Sequence, residues 1–331
     1  MMMLNDDLSA SVGEMLRGAQ QVQLLSHVRP DGDALGAVVG LGLALQAAGK
    51  QVQMLLADGV PAPLRFIAGW KQVVREPKGE FDLRVVLDCS DLQRSGFPWA
   101  DDAPPDLNID HHVTNLGFAR VNYVEPEAVA TCAILAENLE KWGLPIPPEA
   151  ANALLAGIIS DTLGFRTSNM SPKALHLAAA LMQKGANLPE IYDQALMRRS
   201  FDAARLWAKG LDRLQRKDGL VWTSLYLEDR IKVNYSGNDD ADLINFLTTI
   251  EDSIVSVIFV EQKEGNVKVS WRAQPGVDIS KIALRFGGGG HPAAAGAMIA
   301  GTMDDVQQLV LAETLSLFNK PVETQGGIAI A

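Results

Sequence analysis

The segment QVQLLSHVRPDGDALGAVVGLGLALQAA, residues 21–48, decides the fold. Gln21–Ser26 is a short apolar run with strand character. Ala34–Ala48 is apolar over a length that suits a buried helix, and Gly36, Gly40 and Gly42 interrupt it. It is too short to cross a bilayer. Between the two lies a polar turn that carries His27, Asp31 and Asp33. The order is therefore strand, polar turn, buried helix.

Working outward, Gln51–Leu56 is a second strand, followed by a helix after Pro61. Leu83–Leu87 is a buried strand that runs straight into Asp88, and Leu107–Ile109 is a short one that ends at Asp110. Strands that alternate with helical segments predict right-handed crossovers and an α/β domain, a parallel sheet with helices on both faces. Helices follow at Glu127–Trp142, Pro148–Ser160 and Ser171–Lys184. The first domain then covers residues 1–186, and a helical linker fills 187–215. A smaller α/β domain with a mixed sheet takes residues 216–331. Its strands are Leu220–Leu227, Ser253–Glu261, Val267–Arg272 and Ala295–Ile299, with a hairpin turn at Lys263–Asn266. Its helices are Asp278–Arg285 and Asp304–Phe318, and the tail after Lys320 is expected to fray.

Bulk composition narrows the class. A length of 331 residues suits two domains, and 47% apolar with 21% charged residues describes an ordinary globular protein. Cys89 and Cys132 stand alone in no ligand spacing and read as buried thiols of a reducing cytoplasm. A formal charge of 29 − 40 = −11 argues against coating long nucleic acid, but not against a short phosphate-bearing substrate. Met1–Leu16 holds Asp6, Asp7 and Glu14 and no apolar core, so no signal peptide or membrane partner is expected, and the location is cytoplasmic. The apolar helices between Pro126 and Gly185 exceed what one core needs, so a homodimer is expected.

In an open parallel sheet, ligands bind outside the carboxyl ends of the strands. His27, Asp31 and Asp33 follow the first strand, Asp88 ends another, and Asp110, His111 and His112 end a third. Asp161 follows the helix Pro148–Ser160. Singly, each has an ordinary explanation: Asp33 before Ala34 as a helix cap, Asp31-Gly32 as a turn. Jointly they place three of the five histidines and several carboxylates at one crevice. Several carboxylates with imidazole and no thiolate suit two divalent ions, Mn²⁺ or Mg²⁺ with Co²⁺ also compatible, better than structural Zn²⁺. Such a pair polarises a phosphoryl oxygen, activates a water and stabilises the leaving oxygen. Asp88 is the natural bridge between them, with Asp110 orienting a neighbouring imidazole.

His27-x3-Asp31-x-Asp33, Asp88, Asp110-His111-His112 and Asp161-Thr162 resemble, in order and spacing, the DHH phosphoesterase superfamily. That group includes the RecJ exonucleases, the family II inorganic pyrophosphatases and the nano-RNA-degrading oligoribonucleases. The resemblance implies one metal on His27, Asp31 and Asp88, and a second on Asp33, Asp88, His111 and Asp161. His112 then faces the scissile phosphate as a catalytic residue supported by Asp110.

In the second half, Gly287-Gly288-Gly289-Gly290-His291 resembles the GGGGH signature of the DHHA1 domain. It implies a substrate-binding role for Gly288, Gly289, Gly290 and His291, with Arg272 on the preceding strand. Glycine amides can form an anion-binding nest. Trp271 and Phe286 read as core rather than as base-stacking residues.

Length, domain order and charge look like the nano-RNA-degrading group, which cleaves very short oligonucleotides to mononucleotides. Many members also remove the 3′-phosphate of 3′-phosphoadenosine 5′-phosphate. The alternative is a phosphodiesterase of cyclic dinucleotides and their linear products, such as c-di-AMP and pApA. A non-catalytic nucleotide sensor would have lost metal ligands, and none is missing.

Overall fold

The computed structural model describes residues 5–98 and 103–317. They divide into two compact units between Arg198 and Arg199. The tail after Lys320 and Phe318 of the last expected helix lie outside the described residues.

The first unit runs α1 (Asn5–Gly18), β1 (Gln21–Leu25), α2 (Gly32–Ala47), β2 (Gln51–Leu55), β3 (Val73–Val74), β4 (Leu83–Leu87), β5 (Leu107–Asp110) and β6 (Val121–Val124). Then come α3 (Thr131–Asn138), α4 (Pro148–Asp161), α5 (Pro172–Gln183) and α6 (Leu188–Tyr192). The strands form one sheet in the order β3-β2-β1-β4-β5-β6, every pair parallel. Strand order reverses between β1 and β4. That is the topological switch point, where an open sheet leaves its crevice.

Alternation along β1 sends its side chains to opposite faces. Val22 and Leu24 join the main core with α2, α3 and α4. Leu25, Leu55 and Val86 form a smaller cluster closed by Leu92, Phe97 and Phe118. α2 crosses α4 at close range because both helices carry glycine there. A Cβ on Gly36 would come within 2.6 Å of the Ala153 carbonyl, and one on Gly32 within 2.3 Å of Ser160 Oγ.

Several elements differ from expectation. No helix follows Pro61: residues 62–72 hold only the 3-10 turns Ala62–Leu64 and Trp70–Gln72, which end in the short strand β3. Pro63 lacks a donor and Gly69 takes φ 85, so neither extends a helix. The helix expected over Glu127–Trp142 is confined to α3, because Ala130 is fully extended at φ −168, ψ 155. α1 and β6 are additional elements.

The second unit runs α7 (Phe201–Asp212), β7 (Gln215–Lys217), β8 (Leu220–Leu225), α8 (Leu227–Val233), α9 (Leu243–Leu247), β9 (Val255–Glu261), β10 (Asn266–Ala273), α10 (Ser280–Arg285), β11 (Gly289–His291), β12 (Ala294–Ala300) and α11 (Met303–Leu315). Its sheet has the order β11-β12-β10-β9-β8-β7 and is mixed: β8 and β9 are parallel, the other pairs antiparallel. The strand expected over Leu220–Leu227 stops at Leu225, since Asp229 Oδ2 accepts the Tyr226 amide at 2.9 Å and starts α8. Trp271 is fully buried and stacks on Phe286 at 6.3 Å, a core pair as expected.

Candidate metal centre

The cluster is built at the carboxyl ends of β1, β4 and β5, with α4 supplying one more group. After β1, Asp31 rather than Asp33 caps α2: its Oδ1 accepts the amides of Asp33 and Ala34, each at 3.0 Å. That turns Asp33 inward, where it is 1% exposed. Asp88 leaves β4 in the left-handed region at φ 52, a conformation in which Asp is tolerated at a cost. It is also 1% exposed. Asp161 ends α4, and the chain behind it breaks through left-handed Leu163, Gly164 and Phe165.

Three groups of potential ligand atoms result: His27, Asp31 and Asp88; Asp33, His111 and Asp161; and Asp88, His111 and His112. Asp88 is divided between them. Its Oδ2 lies 3.6 Å from His27 Nε2, and its Oδ1 lies 3.7 Å from His111 Nε2. His111 Nε2 is also 4.0 Å from Asp33 Oδ2 and 3.7 Å from Asp161 Oδ2, and His27 Nε2 is 3.9 Å from Asp31 Oδ2. These separations exceed hydrogen-bond length.

The imidazoles are oriented by their other nitrogens. His27 Nδ1 lies 2.9 Å from the Val28 carbonyl and His111 Nδ1 lies 3.3 Å from that of Ala128. A carbonyl only accepts, so each Nδ1 donates to it, and each Nε2 is left facing the carboxylates, where it could ligate a metal. His112 is held differently. Its Nδ1 donates to Asp110 Oδ1 at 2.7 Å, and Asp110 Oδ2 accepts from Asn115 Nδ2 at 2.6 Å.

Burial and mutual repulsion set the electrostatics. Desolvation, with the charges of Asp88 and Asp161, holds the Asp33 carboxyl well above its ordinary range. Asp161 is pushed up to about 8 by desolvation and by Asp88 and Asp31. For Asp88, burial is outweighed by His27, His111 and His112, which bring it down to about 2. Burial would lower His112, but the bond to Asp110 and the nearby carboxylates raise it to about 9. Buried carboxylates that repel one another, gathered around Asp88, form a donor set short of positive charge. Divalent cations fit it.

Three contributors were not foreseen. Thr131 N and Cys132 N, the first amides of α3, donate to Asp33 at 2.6 and 2.9 Å, and Thr131 Oγ1 donates to Asp88 Oδ1 at 3.1 Å. Asn115 is the third, through Asp110. In sequence, only its place three residues after His112 marks it.

In the second unit, His291 and Arg272 stand opposite the same residue, Ala294, on its two neighbouring strands. Directly paired residues share a sheet face, so both side chains issue from the same face. Arg272 Nη1 donates to the Trp271 carbonyl at 2.9 Å, and desolvation lowers its pKa. The glycine run is largely an edge strand. A Cβ on Gly290 would lie 2.4 Å from the Ala294 carbonyl, and one on Gly288 2.1 Å from that of Gly296. The amides of Gly287 and Gly288 bond the carbonyls of Leu284 and Ala283 at the end of α10.

Residues 21–158 match the family model described as DHH family, N-terminal domain, and residues 226–319 match the DHHA1 domain. The chain belongs to the DHH family. A Thermus thermophilus relative of this DHH protein, the bifunctional oligoribonuclease and PAP phosphatase NrnA, is 34% identical over 307 residues, 91% of each chain. A Mycoplasma genitalium protein of the same name is 28% identical over 304 residues, 87% of this chain and 92% of its own. The crystal structure of an exopolyphosphatase-related protein from Bacteroides fragilis shares the fold of this DHH protein. Its TM-score is 0.87 at 24% identity, covering 97% of this chain and 100% of that one.

Proposed function

We propose that this DHH protein is a two-metal phosphoesterase that hydrolyses short oligonucleotides to mononucleotides and 3′-phosphoadenosine 5′-phosphate to AMP. The observation that carries the reading is Asp88, whose two carboxylate oxygens face the two different imidazoles, His27 and His111. The activity named for the 34% identical relative supports the substrate class.

In this reading His27, Asp31 and Asp88 would hold one ion, and Asp33, Asp88, His111 and Asp161 would hold the other. Mn²⁺ suits the carboxylate–imidazole set, with Mg²⁺ or Co²⁺ as substitutes. Ions bound there would supply Lewis acidity toward the phosphoryl group and water. His112, kept protonated by Asp110, presents a positive N–H donor to the phosphoryl group and can return a proton to the leaving oxygen. Asp88 and Thr131 hold that region rigid through their hydrogen bond. In the second unit, Arg272 and His291 on one sheet face, with Gly288–Gly290 behind them, bind the nucleotide.

The same reading places the protein in the cytoplasm, acting on short nucleotides rather than long strands, as a homodimer. Leu175 and Met182 of α5, 53% and 42% exposed, give the dimer its apolar motive. No helix of the described residues is long and apolar enough to cross a membrane.

The test is product analysis with Mn²⁺ on di- to pentanucleotides, 3′-phosphoadenosine 5′-phosphate, and a cyclic dinucleotide with its linear form. Release of mononucleotides, falling steeply with length, is expected. Hydrolysis of the cyclic dinucleotide alone would replace this reading with the cyclic-dinucleotide one. Full activity of Asp88→Ala on any substrate would end the two-metal assignment.

A further inference from the structure

A second feature of the first unit lies at the same end of its sheet. Past the carboxyl ends of β2 and β3, a cavity of about 340 Å³ is lined by Asp58, Arg65, Trp70, Lys71 and Arg75. Three cations face one carboxylate there, in a chain whose formal charge is −11.

The cations are aimed rather than scattered. Arg75 Nη2 donates to the Asp58 carbonyl at 2.6 Å, and Arg65 Nε to the Val60 carbonyl at 3.4 Å. The Arg65 guanidinium sits 5.2 Å and the Lys71 ammonium 5.9 Å from the centre of the Trp70 ring. The one acid is turned to another donor: Asp58 Oδ2 accepts the Arg29 amide at 2.6 Å. Gly59, at φ 72, lets the chain turn beneath Arg75, since a Cβ there would meet Arg75 Nε at 3.0 Å. Backbone-anchored guanidiniums with N–H groups to spare are the ordinary receptor of a phosphate.

The pocket is tied to the metal centre. Arg29, left-handed at φ 55, stands between His27 and Asp31, so the Asp58–Arg29 bond joins the pocket wall to the ligand loop. β3 lies two strands from β1, roughly 10 Å at the usual inter-strand spacing. That separation suits a substrate cut at one phosphate and held at another.

We propose that this pocket is a second phosphate subsite, which binds a backbone or terminal phosphate of the oligonucleotide one or more nucleotides from the bond being cut. The inference rests on the proposed oligonucleotide hydrolysis for its substrate and on the pocket's own geometry for its phosphate.

Two measurements test it on the full-length protein. In EDTA, without turnover, a 5′-phosphorylated dinucleotide is titrated while tryptophan fluorescence is followed. A saturable change is expected in the wild type, absent in Trp70→Phe and weakened roughly tenfold or more in Arg65→Ala/Arg75→Ala, with Arg65→Lys/Arg75→Lys intermediate. With Mn²⁺, the ratio of KM for a tetranucleotide to KM for 3′-phosphoadenosine 5′-phosphate should rise about tenfold in the alanine pair. An unchanged ratio, or binding of inorganic phosphate alone with no response to the dinucleotide, would overturn the subsite. Loss of oligonucleotide hydrolysis from the wild type itself would instead fault the proposed function, and the EDTA titration would still judge the pocket.

Discussion

Asp33, in the first turn of α2, accepts the backbone N–H of Thr131, the first residue of α3, at 2.6 Å across 98 positions of sequence. Its other oxygen takes the Cys132 amide at 2.9 Å. One carboxylate thus caps a distant helix and faces the cluster of His111 and Asp161. Two amides pointing at the buried carboxyl partly offset the cost of desolvating it.

Asp33 and Asp161 should therefore fail differently when neutralised. Both variants are expected to lose divalent-ion binding and turnover. At pH 9 in EDTA, above the raised pKa of Asp161, Asp161→Asn removes a repelled charge and should melt above the wild type. Asp33→Ala leaves two buried amides without acceptors, at about 1–3 kcal/mol for each such group, and should melt several degrees below Asp161→Asn. Equal melting temperatures for the two would remove the capping role of Asp33.

Packing behind Asp33 is tight enough to be tested at a glycine. A Cβ on Gly157 of α4 would lie 2.2 Å from Cys132 Sγ and 2.9 Å from Asp33 Oδ1. Gly157→Ala should cost about 1–3 kcal/mol by overpacking and displace Asp33, so that ion affinity falls with stability. Cys132→Ala removes the nearest atom, and the double variant should recover part of both losses. Strict additivity of the two substitutions in urea denaturation would show that they do not meet.

The capping pair also explains where sequence reasoning stopped. Strand-end motifs were legible because each lies on one short segment: His27 to Asp33 after β1, Asp88 after β4, Asp110 to His112 after β5. The start of α3 was not, since Ala130 offers it no side-chain cap and the acceptor comes from α2. By sequence Asp33 offers itself as the cap of α2 and Asp31 as a turn residue, and only the fold assigns the cap to Asp31. β3 and β6, of two and four residues, are too short to show a period. In the glycine run, the motif does not reveal that Gly288 and Gly290 also let an edge strand lie against β12.

Protons and metals should compete for the cluster. Asp161 is raised to about 8 and His112 to about 9. Each folded-state value lies above its unfolded counterpart, so the metal-free fold binds extra protons and loses stability as pH rises through these values. Asp88, lowered to about 2, has the opposite dependence, but below pH 4 and so outside this window. In EDTA the melting temperature should fall from pH 6 to pH 9. With saturating Mn²⁺ the fall should vanish or reverse, because ions replace the protons. A metal-free melting temperature that rises over that range would contradict the arrangement.

The Asn115 side chain reaches the His112 ring through Asp110, with bonds of 2.6 and 2.7 Å in series. It also donates to Asn108 Oδ1 at 2.7 Å, which fixes the loop after β5. Asp110→Asn should weaken orientation and charge of His112 together and lower kcat by about 10²–10⁴. Asn115→Ala leaves Asp110 in place and should cost about 10–100-fold, as for other groups that orient a reacting residue from behind. In both, ion stoichiometry should stay as in the wild type, and the alkaline limb of the kcat profile should move to lower pH as the imidazole loses its raised pKa. A fall in kcat with no movement of that limb would assign Asp110 and Asn115 a purely structural role.

His291 gives the complementary case in the second unit. Its strand β11 is held to β12 by pairing at Gly289, Gly290 and His291 itself, so replacing the side chain leaves the backbone pairing intact. His291→Ala should raise KM for nucleotide substrates about tenfold or more with little change in kcat, the signature of lost uniform binding. Gly290→Ala acts through the backbone instead. At φ 143 an L residue is strained, and its Cβ would meet the Ala294 carbonyl. That variant should displace β11 and match or exceed the KM effect of His291→Ala, with added loss of stability in the second unit. If Gly290→Ala bound nucleotide as well as the wild type, the edge strand would not be what presents His291.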